Sequence, residues 1–344
     1  MSVTRLPDST LGSWNLTSYG VHNMEINADN IKPIVTSTQG SQGVYKKFNL
    51  TIEDNLLYIK AGKDTGVGYS VREPIIECLV SRIGQHLGFP VVDYTNWVVD
   101  QELFDKIELM KMNGGSHTTD TSSINSSSYA SEEDDPSPIY RGPSITLNPK
   151  SSLETTIAYY KKALVSVSET FNPGNAPYSS ADILTKGVPD NKLFERLFKM
   201  GSQVYLRTQE MIIFDFLINN SDRHRKNFGF LGGSGDIPTM VPLFDHGLSL
   251  LSNFDDTTIS EREYDVLNSS TGKSFTFNLL QDLQKYVDFD YIRLNSTINF
   301  DANLNDLYAL VEDYKGALSP IRLERIKQLL EGRFNYVKGK ILPS

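Results

Sequence analysis

Three oxygen-bearing side chains stand in this sequence at spacings that suit phosphate chemistry. Asp222 and Asn227 are separated by four residues in the polar run Asn219-Asn220-Ser221-Asp222-Arg223-His224-Arg225-Lys226-Asn227, and Asp245 follows in Phe244-Asp245-His246-Gly247. An Asp ahead of an Asn on a tight loop lets a carboxylate take the proton of an attacking hydroxyl while the amide oxygen reaches a cation. A second carboxylate, delivered beside the Asn by a returning hairpin, makes an oxygen-donor pair of the kind magnesium prefers. The chemistry implied is metal-assisted phosphoryl transfer. Asp222 would be the base, His224 would shape the loop beside the phosphates, and Asn227 and Asp245 would be the metal ligands. Each piece alone has a plain reading: Asp222 as a turn residue, His224 as a surface histidine, Asp245-His246-Gly247 as a turn.

The elements that must position these residues are legible in outline. Residues 204–218, which end in the apolar stretch 211–218 interrupted by Asp215, predict a helix leading into the loop. Residues 228–231 and 240–244 predict short strands around Gly232-Gly233-Ser234-Gly235. Upstream, 44–52 and 56–60 predict two strands about a turn at Glu53-Asp54-Asn55, with Tyr58 and Lys60 on one face and Leu57 and Ile59 on the other. Ser70 and Glu73 suggest a capping box with Pro74 in the first turn. The stripe Ile76, Leu79, Val80, Ile83 and Leu87 then predicts a helix that Gly88 ends. A strand is expected over 91–99 and helices over 153–164, 181–184 and 193–197. A final helix is expected from Ser319-Pro320 with Leu323, Ile326, Leu330, Phe334 and Val337 on one stripe.

Composition narrows the function class. With 344 residues and 39% hydrophobic content the chain can bury a sizeable core. A formal net charge of -9 opposes non-specific nucleic-acid binding, which needs a positive field. The single cysteine, Cys78, excludes an intramolecular disulfide and a Cys-rich metal site, which suits a reducing cytoplasm. No apolar stretch approaches the length of a membrane span, and residues 1–10 do not read as a secretory signal. The expectation is a cytoplasmic protein with no membrane and no direct nucleic-acid partner. Residues 113–138, rich in Ser and Thr, read as a flexible loop or linker. Gly62-Lys63-Asp64-Thr65 echoes a phosphate-binding loop but lacks the upstream glycine that such a loop requires.

The run 214–231 closely resembles the catalytic motif of HipA-like serine/threonine kinases. Pro242-Leu243-Phe244-Asp245-His246-Gly247-Leu248-Ser249-Leu250 resembles their metal-binding motif, with His where protein kinases usually carry Phe. The match is nearest to the short, CtkA-like branch, and it is strong only over residues 210–250. A kinase also needs a strand lysine for the α- and β-phosphates and a helix Glu to orient it. Lys60 and Glu77 are the candidates, with Glu73 as the competing acid. Glu77 precedes Leu87-Gly88 as a Glu precedes Leu-Gly in that family. Gly40-Ser41-Gln42-Gly43 is similar to the family's short phosphate loop. The resemblance implies that Ser41 is an autophosphorylation site and places Phe244 in the cofactor-binding set.

What the resemblance implies is an α+β, two-lobed, protein-kinase-like fold with a β-rich N-lobe and a mostly helical C-lobe. Residues 1–105 would form the first, 106–144 a linker or insertion, and 145–344 the second. The adenine hinge is expected near 98–104. Such a protein would use ATP and Mg2+ to phosphorylate a Ser or Thr of a protein substrate, as a toxin or regulatory kinase, with an antitoxin or regulatory protein as partner. A lipid or small-molecule kinase with the same core is the alternative, as is a catalytically silent pseudokinase acting as an interaction module.

Overall fold

The structure, a computed structural model, describes residues 2–5, 24–25, 31–32, 45–52, 55–63, 65, 69–100, 162–171, 177–232, 238–261 and 278–342. The Gly40–Gly43 loop and all of the segment 106–144, with the 113–138 stretch inside it, therefore lie outside the described residues.

The architecture is mixed helix and sheet. Strands β1 (Ser2–Arg5), β2 (Met24–Glu25), β3 (Ile31–Lys32), β4 (Tyr45–Ile52) and β5 (Asn55–Lys63) precede helix α1 (Arg72–Leu87) and strands β6 (Thr95–Asp100) and β7 (Lys162–Glu169). These seven strands form one sheet in the order β2-β1-β6-β7-β5-β4-β3, every neighbour antiparallel. Strand β5 runs longer than expected. Its Leu57, Ile59 and Ala61 join Trp97, Val99, Ala163, Val165 and Val167 in an apolar layer on one face. Period two then turns Lys60 to the opposite face. Strand β7 corrects two expectations. Its start, 162–164, is sheet and not the end of a helix. Its place between β6 and β5 means that the sheet draws on chain beyond residue 144.

Helix α1 begins one residue later than a capping box at Ser70 would require. Val71 holds the cap position with no side-chain hydrogen bond, while the Ser70 hydroxyl accepts from the Arg72 N–H. Glu73 turns into the protein instead and is 8% exposed. The apolar stripe is buried as expected, and Gly88 ends the helix in the left-handed conformation at φ +80°. The strand expected over 91–99 forms only from Thr95. Before it, Val91 bridges to Leu243, with Val92 N–H donating to the Leu243 carbonyl at 2.9 Å and Leu243 N–H to the Pro90 carbonyl at 2.7 Å.

Beyond β7 come β8 (Tyr178–Ser180), α2 (Ala181–Leu184), α3 (Leu193–Phe198), α4 (Ser202–Ile218), β9 (Gly229–Leu231) and β10 (Thr239–Met240). Then follow α5 (Asp256–Glu261), α6 (Leu279–Tyr286), α7 (Phe289–Asn295), α8 (Leu304–Glu312) and α9 (Pro320–Ile341). Strand β9 pairs with β8 and β10 in a small second sheet. Strand β10 is shorter than the expected 240–244, because Leu243 is recruited by the chain after α1. The second half of helix α4 is apolar on nearly every face and is correspondingly central, with Ile213, Phe214, Phe216 and Ile218 wholly buried. Burying each such side chain stabilises by roughly 1.5–3 kcal/mol. Helix α9 starts at the expected Ser319 cap and packs its expected stripe inward. Its Arg333 donates to the Phe216 carbonyl and lies 4.7 Å over the Phe216 ring, which braces the end of α4. Among the described residues no helix is long and apolar enough to cross a membrane.

Candidate active site

Helix α4 ends at Asn219, whose φ of +53° is one that Asn adopts at low cost. The chain then enters the Asp222–Asn227 loop, and the acid that interrupted the apolar stretch explains its shape. Asp215 is buried near the end of α4. It accepts from Arg223 Nε at 2.9 Å on Oδ2, from Arg223 Nη2 at 3.0 Å on Oδ1, and from Asn220 Nδ2 at 2.8 Å. The Asn220 side-chain oxygen accepts the Asp222 N–H at 3.1 Å. Arg223, 1% exposed, also donates to the backbone carbonyls of Asn227 and, at 3.0 Å, Phe244. One guanidinium thus ties the far end of the loop to the residue before Asp245.

Asn227 Nδ2 donates to the Asp222 carbonyl at 2.9 Å. That bond assigns the amide nitrogen to the loop and leaves Oδ1 as the acceptor end of the side chain. The Asp222 carboxylate is 29% exposed, with His224 Nε2 3.9 Å from its Oδ2.

Asp245 adopts φ +61°, which is unusual for a residue other than Gly and costs on the order of 1–3 kcal/mol. Lys60 Nζ bonds to Asp245 Oδ1 and, at 2.8 Å, to Glu77 Oε2. Lys47 Nζ reaches Asp245 Oδ2 at 3.3 Å. Glu77 is wholly buried and its other oxygen accepts the His246 N–H at 2.6 Å. Burial would raise the Asp245 carboxyl, but Lys60 and Lys47 outweigh it and hold Asp245 well below the usual carboxylate range. Burial would likewise lower Lys60, but Asp245 and Glu77 keep its ammonium charged well above the ordinary lysine value. The Gly247 position is set by crowding. A Cβ there would lie 3.0 Å from Glu77 Oε2 and 3.4 Å from Lys60 Nζ.

The structure therefore brings Lys60, Glu77 and Asp245 into one ion-pair cluster and links Asn227 to it through Arg223. Glu73 does not pair with Lys60; its Oε2 is buried with no hydrogen-bond partner among the described residues. Phe244 stacks on Phe171 with centroids 5.6 Å apart. Gly40, Ser41, Gln42 and Gly43 lie outside the described residues. Sequence reasoning missed Lys47, Arg223 and Asp215. Lys47 pairs in register with Lys60 across β4 and β5. Asp215 carried a signal, since an acid in an apolar helix must find a buried partner, and Arg223 and Arg207, each eight residues away, were the nearest cations.

No family model matches the chain, and no curated protein matches it. Among solved structures it is similar to the Helicobacter pylori proinflammatory kinase CtkA at 14% identity and a TM-score of 0.48, over 86% of this chain and 94% of that chain.

Proposed function

We propose that this protein is an ATP- and Mg2+-dependent kinase that transfers the γ-phosphoryl group to a Ser or Thr hydroxyl of a protein. The observation that carries the reading is the placement of Lys60 between Glu77 and Asp245, with both carboxylates bonded to one ammonium. A phosphate-binding lysine needs a buried acid to aim it, and Glu77 supplies that from α1. The nucleotide would lie between the large sheet and the helices beyond β7. The hinge would then be the chain leaving β7 at Thr170-Phe171, in place of the expected 98–104, of which 101–104 lie outside the described residues.

The donor set fits magnesium. Asp245 is ionised and its side chain 21% exposed, and Asn227 offers Oδ1, so both are hard oxygen donors. Among the described residues no group of three or more His, Cys, Asp or Glu side chains is placed to hold a metal. Magnesium needs only one or two protein ligands when phosphates and water supply the rest. When bound it would neutralise charge on the β- and γ-phosphates. Lys60 and Lys47 would then shift from Asp245 toward phosphate oxygens. Asp222 would accept the substrate hydroxyl proton as that oxygen bonds to the γ-phosphorus. The bond to the β,γ-bridging oxygen would break and ADP would leave.

Incubation with labelled ATP and Mg2+ tests the reading, comparing wild type with Asp222→Ala and Asp245→Ala. Label should pass to protein in the wild type and in neither variant. A wild type that binds ATP yet labels neither itself nor a protein pool overturns the assignment. Phosphopeptide mapping of labelled protein tests Ser41 as an autophosphorylation site.

A further inference from the structure

We infer that Arg72 is a positioning residue for the Lys60–Glu77–Asp245 cluster: it ties the first turn of α1 to the chain that follows Asp245-His246-Gly247. Its catalytic consequence rests on the kinase reading, while the tether itself does not.

The cap residue of α1, Val71, makes no side-chain hydrogen bond, and only the Ser70 hydroxyl, accepting the Arg72 N–H, holds its first turn locally. Arg72, the first helical residue, supplies a different anchor. Its Nη1 donates to the Ser252 carbonyl at 3.1 Å and the Phe254 carbonyl at 2.9 Å. The segment it grips is held firmly. Leu250 N–H donates to the Ile218 carbonyl at 2.8 Å, at the end of α4. From α9, Arg322 donates to the Leu251 carbonyl at 2.8 Å, the Phe254 carbonyl at 2.7 Å and Asp256 at 2.6 Å. The Phe254 carbonyl therefore accepts from both arginines and joins α1 to α9. Leu250 and Leu251 hold φ of +44° and +65°, strain that persists only where surrounding contacts over-determine the backbone.

The contacts close a ring. Ser252 Oγ donates to the Gly247 carbonyl at 2.7 Å, and the neighbouring His246 N–H donates to Glu77 Oε1. Glu77 lies five residues along α1 from Arg72, about 7.5 Å of helix rise. Arg72 and Glu77 thus grip the same short segment at two points, which fixes the axial register of α1. That register decides whether Glu77 or Glu73, one turn earlier, faces Lys60.

Arg72→Met keeps the length and removes the donors, and Arg72→Lys keeps a charged donor. Hydrogen exchange of the His246 amide should speed about tenfold or more in Arg72→Met, with most of the protection returning in Arg72→Lys. Unchanged exchange in Arg72→Met overturns the tether. For catalysis a double-mutant cycle with Glu77→Gln decides. Arg72→Met should lower kcat/KM for ATP about tenfold in the wild-type background and less than about twofold in Glu77→Gln. Multiplicative losses would mean that Arg72 does not act through Glu77. A wild type without any ATP-dependent transfer would sink the kinase reading, and the exchange rates would still decide the tether.

Discussion

Asp215 and Arg223 form a buried ion pair, 2.9 Å between Oδ2 and Nε, with the two side chains 5% and 2% exposed. It joins the end of α4 to the candidate catalytic loop, and the remaining guanidinium nitrogen holds the Asn227 and Phe244 carbonyls together. Arg223→Met leaves the Asp215 carboxylate buried without its cation and should cost about 3–5 kcal/mol in denaturant unfolding. Adding Asp215→Leu should recover much of that stability, because the uncompensated charge is gone. Phosphoryl transfer should stay low in the double variant, since nothing then draws Asn227 toward Asp245. Recovery of activity together with stability would show the pair to be structural only.

Gly247 is placed where a methyl group would be tightly packed. Gly247→Ala puts carbon 3.0 Å from Glu77 Oε2 and 3.4 Å from Lys60 Nζ, so the ion pair must give by a few tenths of an ångström. Overpacking of this kind costs roughly 1–3 kcal/mol. The thermal midpoint should fall by several degrees, and ATP affinity should fall with it because the crowded group is the lysine proposed to hold phosphate. Unchanged ATP affinity would place the nucleotide elsewhere.

His246 is wholly buried against Phe214, with centroids 5.3 Å apart and neither ring nitrogen bonded among the described residues. Burial first, and then the nearby Arg223, push its pKa well below the ordinary histidine value. The unfolded chain therefore takes up a proton near pH 6.5 that the folded protein refuses. The stability from this group is fully present above about pH 6.5. It is lost as pH falls toward the lower folded value, at roughly 1 kcal/mol per pH unit. His246→Phe should flatten unfolding stability between about pH 6.5 and 5 relative to wild type. An identical pH slope in the two proteins would show that His246 protonates in the fold.

Much of the local structure was legible because it follows from short-range rules. The alternation of Leu57, Tyr58, Ile59 and Lys60 set the two faces of β5, and the start of α9 and its buried stripe follow from Ser319-Pro320 and the apolar repeat after it. The capping box failed because Ser70 and Glu73 satisfy a local pattern while Glu73 is drawn inward. The expected helix over 153–164 meets β7 because apolar runs such as Ala163–Val167 suit a buried central strand as well as a helix.

By itself the sequence determined which chemistry is available: two carboxylates and an amide at loop spacings, a strand lysine, and an acid on the following helix. Only the tertiary structure decided which charges meet. Lys60 and Asp245 are 185 residues apart, and no periodicity reports a contact at that range. The choice of Glu77 over Glu73, the arrival of Lys47, and the use of Asp215 to aim Arg223 all come from packing. A charge taken out of water must find an opposite charge, and which one it finds depends on how α1, α4 and the sheet are pressed together.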